Sequence, residues 1–369
     1  MSETGASGAI SAVHAAAYDI PTETRESDGT DSWESTTLVV AEATAQGRAG
    51  LGWTYGPAVC ADYIERSLAP LARGSDPLRV GAVFDRMVRA VRNDGRPGAI
   101  GYALSAVDAA LWDLKARILG VSLAVLLGAI RGEAPLYWSG GFVDDPDDRL
   151  REQLEDCAQG QGVPRVKIKI GQDGGRAVGR DLARIAIARE SIGDAELYVD
   201  ANGAYSRKQA VRVAQSAQEH RIGWFEEPVS SDDLAGLREV RDRVDPDVAA
   251  GEYGHDVQYF QRMCAAGAVD CLQVDASRCG GATEWARAAA VAASHGLDVS
   301  AHCAPNLHAH LAVATPNFRH LEWFQPHVRV ESRYFDGALV PCGGLVAPDL
   351  EAPGTGLALK NADLAQHRV

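Results

Sequence analysis

From residue 135 onward, short apolar runs alternate with longer stretches rich in Ala, Arg and Glu, such as GRDLARIAIARES and RKQAVRVAQSAQEH. Short apolar runs bounded by such stretches are typical of buried strands separated by helices. Eight runs are found, at residues 136–138, 166–170, 197–199, 222–225, 248–250, 271–274, 297–299 and 320–323. Eight strands with seven helical connections predict parallel strands and favour a closed (β/α)8-type barrel. An open doubly wound sheet is less favoured, because no GxGxxG loop follows the first strand.

The first 130 residues show a different pattern. The β-branched segment STTLVVAEAT at 35–44 predicts a strand, whereas the polar stretch 20–34 predicts a long loop. Gly120 is expected to end a helix whose apolar stripe is formed by Ile100, Leu104, Val107, Leu111, Leu114 and Ile118. These elements predict a small α+β domain, and the turn-rich segment 328–369 is expected to pack back on it.

Composition excludes several classes of function. The net charge of −14, without any Lys/Arg-rich run, argues against a nucleic-acid partner. Seven cysteines without a CxxC pair indicate a reduced intracellular protein. The first ten residues lack a signal-peptide pattern, and no apolar stretch reaches the roughly 18 residues that a membrane span needs. We therefore expect a cytoplasmic protein that does not bind membranes.

An ionisable side chain lies at the carboxyl end of seven successive predicted strands. In barrels of this type the active site forms at these strand ends. A single acidic residue there could be a helix cap, but seven ionisable residues at the same point of units 20–31 residues apart favour a shared site. The residues are Lys169, Asp200, Glu226, Glu252, Asp275, His302 and Glu322.

Asp200, Glu226 and Glu252 come from three adjacent strands. Three converging carboxylates repel one another unless a cation lies among them. Ligands that are all oxygen suit a hard ion, so Mg²⁺ is expected and Mn²⁺ also fits. Zinc is disfavoured at this trio, since no His or Cys joins it.

Lys169 and His302 flank the predicted metal site and are candidate proton carriers. The alternation of apolar residues and lysines in RVKIKIG would also fit a strand whose lysines are solvated. If the lysines instead face inward, the charge of Lys167 lowers the pKa of Lys169. Asp275 can hold the His302 imidazole in one tautomer. Glu322 is a candidate acid if burial keeps it protonated. A metal between two bases suits removal of the proton α to a carboxylate.

The segments ALSAVDAALWDLKARILGVSLAVLLG (103–128), KIK, DANG, FEEP, GE, QVDASRCGG and AHCAPNLHAHLA resemble, in this order, motifs of the mandelate racemase-like group of the enolase superfamily. The resemblance implies a modified TIM barrel, (β/α)7β, at 131–327 and an α+β capping domain at 1–130, completed by about 328–369. It implies Mg²⁺ at the carboxylate trio and acid/base roles for Lys169 and the His302–Asp275 pair. It also implies that Glu322 donates a hydrogen bond to an enediolate and that Asn202 binds substrate.

The resemblance further implies a small carboxylate as substrate and a homo-oligomeric assembly. Dipeptide epimerases and muconate cycloisomerases carry a second lysine at the end of the sixth strand. This chain has DASRCGG at the corresponding place, which disfavours both reactions. We expect dehydration of an acid sugar, an aldonate or aldarate, to a 2-keto-3-deoxy acid. Racemisation or epimerisation of a 2-hydroxy acid and cycloisomerisation of an acid-sugar lactone remain alternatives, as does a non-catalytic metabolite-binding barrel. A metal-assisted hydrolase would prefer His ligands.

Specificity is expected to depend on the cap. The segments 20–34 and 50–56 are predicted to close over the substrate. Three aromatic residues in or beside them, Trp33, Trp53 and Tyr55, could line the pocket or simply pack in the core.

Overall fold

The computed structural model describes residues 8–369; residues 1–7, which hold most of the segment used to exclude a signal peptide, lie outside the described part. The described chain forms a three-stranded antiparallel sheet with helices, followed by a closed parallel barrel. This architecture confirms the predicted modified TIM barrel with an α+β cap.

The cap begins with strands β1 (Ala12–Ser27), β2 (Ser32–Ala45) and β3 (Arg48–Tyr55), ordered β1-β2-β3. The long loop predicted at 20–34 was wrong, because β1 and β2 pair up to Ser27 and Ser32 and leave only a tight turn. The pairing shifts register between Pro21 and Glu26 and then resumes. The polar residues of 20–34 therefore belong to the exposed end of the β1–β2 hairpin and not to a long loop.

The cap helices cover one face of this sheet. Their bounds are Val59–Tyr63, a π-helical turn Ile64–Leu68, Ala69–Ala72, Val80–Ala90, Ala99–Leu119 and Leu123–Leu126. The longest ends at Gly120, whose left-handed φ of 69° fits the predicted C-cap. This helix lies directly against β3, since a Cβ added at Gly52 would be 2.1 Å from the Ala106 carbonyl oxygen.

The barrel contains the eight predicted strands, all parallel and paired in chain order, and pairing between the last and the first closes it. They are β4 (Ala134–Gly140), β5 (Arg165–Lys169), β6 (Glu196–Asp200), β7 (Ile222–Glu226), β8 (Asp247–Ala250), β9 (Cys271–Val274), β10 (Asp298–Ala301) and β11 (Phe318–Phe324). The connecting helices are Asp147–Glu155, Gln172–Gly175, Val178–Ile192, Arg207–Ser216, Leu234–Arg241, Val257–Ala265, Ala276–Cys279, Gly281–Ser294 and Pro305–Val313.

Helix Gln325–Tyr334 follows β11, and the short elements β12 (Phe335–Asp336), β13 (Leu345–Val346), β14 (Ala358–Leu359) and Asn361–Leu364 complete the chain. The C-terminal segment contacts both parts of the molecule. β13 pairs with β4 of the barrel, and the Val369 N–H donates to the Ala17 carbonyl of the cap.

The lower part of the barrel interior is filled by aromatic rings. Tyr137, Tyr198 and Trp224 are almost fully buried, and their ring centroids lie 4.8–5.5 Å from that of His320. This layer lies on the amino-terminal side of the polar strand ends. It closes the bottom of the barrel, so the polar groups face the cap.

All seven cysteines are free thiols, as their spacing predicted. Among residues 8–369, we found no helix with both the length and the apolar character that a membrane crossing requires.

Glu331 links the helix after β11 to the cap. Its buried carboxylate accepts hydrogen bonds from Trp53 Nε1 (2.9 Å) and Tyr55 OH (3.0 Å) of β3, and from the backbone N–H and side-chain amide of Asn306.

Replacing Glu331 with alanine would leave four donors without their acceptor. We expect Glu331→Ala to lower the free energy of unfolding by about 3 kcal/mol, measured by urea denaturation. Exposed Glu351→Ala is the control, and equal losses in both variants would contradict this role.

Candidate active site

The polar strand-end residues meet at one end of the barrel, facing the cap. Lys167 and Lys169 lie on β5, Asp200 and Glu226 end β6 and β7, and Glu322 lies on β11. Glu252, Asp275 and His302 follow β8, β9 and β10 within two residues. All eight residues are at most 5% exposed. The lysine pair therefore points into the barrel and does not lie on a solvated strand face.

The three predicted metal ligands form a compact group. One carboxylate oxygen each from Asp200, Glu226 and Glu252 lies within 4.8 Å of the others. Burial and the charges of Asp200 and Glu322 raise the pKa of Glu226 to about 8, although Lys167 opposes this. The buried Glu252 Oε2 has no hydrogen-bond partner. These residues fit a hard divalent cation, which would relieve the repulsion and coordinate the unpartnered oxygen.

The two lysines neutralise part of this charge. Lys167 Nζ lies 2.5 Å from Glu226 Oε1 and 2.8 Å from Glu322 Oε1, and Lys169 Nζ lies 2.5 Å from Asp200 Oδ2. Burial and Lys167 both act to lower the pKa of Lys169, but Asp200 raises it above its usual value. The predicted effect of Lys167 on the pKa of Lys169 is therefore present, but in this arrangement the ion pair with Asp200 outweighs it.

His302 is held by Asp275, as predicted. Nδ1 lies 2.8 Å from Asp275 Oδ2, while Asp275 Oδ1 accepts hydrogen bonds from the Ser277 N–H and hydroxyl. Burial acts to lower the pKa of His302, but Glu252 and the hydrogen bond to Asp275 raise it above its usual value. The imidazole therefore carries a proton more readily than a free histidine does.

Glu322 is ionised. Its Oε1 contacts Lys167 and accepts a hydrogen bond from Ser139 Oγ at 2.7 Å, and its Oε2 accepts the Cys303 N–H at 2.9 Å. Burial alone would raise the pKa of this carboxyl, but Lys167, His302 and Lys169 hold it well below the usual range. Burial therefore does not by itself keep Glu322 protonated in this arrangement, because the adjacent Lys167 ammonium stabilises the carboxylate.

A cavity of about 290 Å³ lies between the barrel and the cap. The barrel contributes Lys169, Asn202, Glu252 and His302, and the cap contributes Asp28, Trp33, Ser35, Thr36, Thr37, Tyr55 and Gly56. Asn202 has a left-handed φ of 46°, and its Oδ1 is buried without a partner. Trp53 lies outside this wall, packed against Glu331.

Six further residues line the cavity that the strand-end pattern did not single out: Tyr253, Arg278, Cys303, Phe324, Pro326 and His327. Arg278 follows Asp275 by one helical turn and lies 3.2 Å from Glu252, a contact between strands that the sequence does not show. Cys303 directly follows His302 in the chain, and this adjacency could have identified it as a cavity residue. His308 has a structural role, since its Nε2 accepts the Ala276 N–H at 2.9 Å.

Comparison with known proteins assigns the family. Residues 29–128 match the profile of the mandelate racemase/muconate lactonizing enzyme N-terminal domain, and residues 149–363 match the enolase C-terminal domain-like profile. A mandelate racemase/muconate lactonizing enzyme-like protein from Rubrobacter xylanophilus superimposes with a TM-score of 0.94 at 46% identity, covering 98% of this chain and 100% of that one.

Two relatives with named activities also match. L-Talarate/galactarate dehydratase from Salmonella typhimurium is 30% identical over 311 residues, 82% of this chain and 77% of its own length. Its crystal structure with Mg and L-lyxarohydroxamate gives a TM-score of 0.90 over 100% of this chain and 95% of that one, at 26% identity. D-Galactarolactone cycloisomerase from Agrobacterium fabrum is 35% identical over 260 residues, 69% of this chain and 68% of its own length. This chain belongs to the mandelate racemase/muconate lactonizing enzyme family of the enolase superfamily.

Proposed function

We propose that this chain is a Mg²⁺-dependent dehydratase of acid sugars, which converts an aldonate or aldarate to a 2-keto-3-deoxy acid. The observation that carries the proposal is the cavity that Lys169 and His302 share with Glu252 of the carboxylate trio. A cavity of about 290 Å³ suits a small polar substrate. The dehydratase from Salmonella and other acid-sugar dehydratases among the relatives support this substrate class.

Asp200, Glu226 and Glu252 would hold the metal ion, and Mn²⁺ fits the same oxygens. When bound, the ion supplies positive charge that stabilises the substrate carboxylate as negative charge develops on it. Asn202 Oδ1, buried without a partner, is available to a substrate hydroxyl.

Lys169 is the proposed base. Its amine must be neutral to accept the α-proton, so its ion pair with Asp200 has to be given up first. Lys167 then lowers the pKa of the freed amine by charge repulsion. The electrons of the broken C2–H bond move into the carboxylate and form the enediolate.

His302 is the proposed acid. Its raised pKa favours the imidazolium, and Asp275 orients the ring. As the enediolate collapses, a C2=C3 double bond forms and the C3–O bond breaks. The leaving hydroxyl takes the Nε2 proton and departs as water, and the enol product tautomerises to the 2-keto acid. The buried Lys167 ammonium, held between Glu226 and Glu322, adds positive charge beside the proposed metal site.

A second candidate is cycloisomerisation of an acid-sugar lactone, supported by the cycloisomerase from Agrobacterium. Racemisation or epimerisation of a 2-hydroxy acid needs the same two proton carriers and is a further alternative. A non-catalytic metabolite-binding barrel is disfavoured, since every proposed catalytic position carries a competent group. The seven free thiols support a cytoplasmic location, and we retain the homo-oligomer as part of the proposal.

Incubating the protein with a library of acid sugars and Mg²⁺, followed by an assay for 2-keto acids, tests the reaction. We expect at least one aldonate or aldarate to yield a 2-keto-3-deoxy acid. Exchange of the α-proton in D₂O without any keto acid would rule out dehydration and favour a racemase or epimerase. Consumption of a lactone without prior opening would favour the cycloisomerase.

A further inference from the structure

Three side chains of metal-ligating chemistry meet beside the carboxylate trio. The distance from Cys303 Sγ is 3.3 Å to His302 Nε2 and 3.5 Å to Glu322 Oε2, and Nε2 lies 3.8 Å from Oε2. All three side chains are buried, and none of the three atoms belongs to the trio. A nitrogen, a sulfur and an oxygen therefore face a common point.

The spacing matches a tetrahedral zinc site. Bonds of about 2.3 Å to sulfur and about 2.0–2.2 Å to nitrogen or oxygen, at tetrahedral angles, place ligand atoms about 3.3–3.6 Å apart. The three observed distances fall within a few tenths of an ångström of this range. Mg²⁺ avoids sulfur, whereas Zn²⁺ accepts this mixed set. The cluster and the trio therefore prefer different cations.

The surrounding residues hold the ligand atoms in place. Asp275 lies against Nδ1 of His302, an arrangement that orients metal-binding imidazoles with Nε2 outward. Ser139 and Lys167 hold Oε1 of Glu322, so that Oε2 faces the sulfur. Cys303 itself has a left-handed φ of 54°, a conformation that the surrounding structure must enforce.

The local charge also favours a cation. Glu252 Oε2 is buried, lacks a hydrogen-bond partner and lies 3.4 Å from His302 Nε2. Together with Glu322 and Asp275, whose oxygens lie 3.8 Å and 2.8 Å from the His302 ring nitrogens, it gives the cluster three bordering carboxylates. Two cations contact these carboxylates: Arg278, which contacts Glu252 and Asp275, and Lys167, which lies on the far side of Glu322.

We propose that His302, Cys303 and Glu322 form a second cation site, which takes Zn²⁺ or a chemically similar divalent ion, and that its occupation inhibits the enzyme. Binding releases the thiol proton of Cys303 and any proton on Nε2. The inhibitory part rests on the proposed function, since a metal on Nε2 removes the atom assigned to protonate the leaving hydroxyl. The binding part rests on geometry alone.

Co²⁺ is the first probe, because a cobalt–thiolate bond gives a charge-transfer absorption band. It is added to the full-length protein with Mg²⁺ in large excess to fill the carboxylate trio. We expect the band at one equivalent in the unmodified protein and in the control Cys342→Ser, which removes the exposed cysteine, and its loss in Cys303→Ser. No band in the unmodified protein, or a band that persists in Cys303→Ser, would overturn the site.

X-ray absorption of the zinc-loaded, unmodified protein tests the site without a substitution that could disturb folding. We expect one sulfur at about 2.3 Å and nitrogen or oxygen at about 2.0–2.2 Å; a shell of oxygen alone would place zinc at the trio and refute the site. Inhibition by zinc is then measured relative to each variant's own zinc-free rate. Half-inhibition of Cys303→Ser should need at least about tenfold more zinc than half-inhibition of the unmodified protein. Zinc that binds through sulfur without inhibiting would refute the role of His302 and leave the site intact.

Discussion

Lys169→Met is expected to lower kcat for acid-sugar dehydration by about 10²- to 10⁴-fold, the usual contribution of a positioned proton carrier. Methionine retains the length of the side chain beside the Phe324 ring but cannot accept a proton. The measurement is kcat by the 2-keto-acid assay, together with α-proton exchange in D₂O. The exposed Lys208→Met is the matched control and should behave like the unmodified enzyme.

His302→Asn separates the two proposed roles. If Lys169 is the base and His302 the acid, this variant loses dehydration by a similar factor but still exchanges the α-proton. Lys169→Met must then lose both activities. Retained exchange in Lys169→Met, with exchange lost in His302→Asn, would reverse the assignment. Full dehydration activity in both variants would refute the mechanism.

Asp200→Asn is expected to remove most Mg²⁺-dependent activity, because the trio loses a charged ligand. A metal supplies several kcal/mol of transition-state stabilisation, so the loss should reach about 10³-fold. The same variant should lose the rise in thermal stability that a bound ion gives to the folded state. Calorimetric titration with Mg²⁺ and thermal unfolding measure the two effects.

The exposed Glu219→Gln serves as the control for a lost surface carboxylate and should retain both the Mg²⁺ affinity and the thermal shift. Treatment of the unmodified enzyme with a chelator should reproduce the loss of activity, and added Mg²⁺ should restore it. Undiminished Mg²⁺ binding by Asp200→Asn would mean that the trio is not the metal site.

The barrel could be predicted because its pattern repeats. Each strand is a short apolar run, and each polar end falls at the same point of its unit, so errors at single positions do not change the strand count. The hairpin at 20–34 was missed for the opposite reason. Strand pairing there depends on a register shift between Pro21 and Glu26, which leaves no periodic signal.

The sequence by itself determined the fold, the polar strand ends and the family, because these depend on local patterns and their order along the chain. The tertiary structure decided which groups touch, and with that the protonation of the site. The carboxylate form of Glu322 and the ammonium form of Lys169 are favoured because each lies beside an opposite charge that is distant in sequence. Cys303 became a ligand candidate in the same way, through its 3.5 Å approach to Glu322. Interactions between charges and ligands depend on distance in space, which residue spacing does not encode.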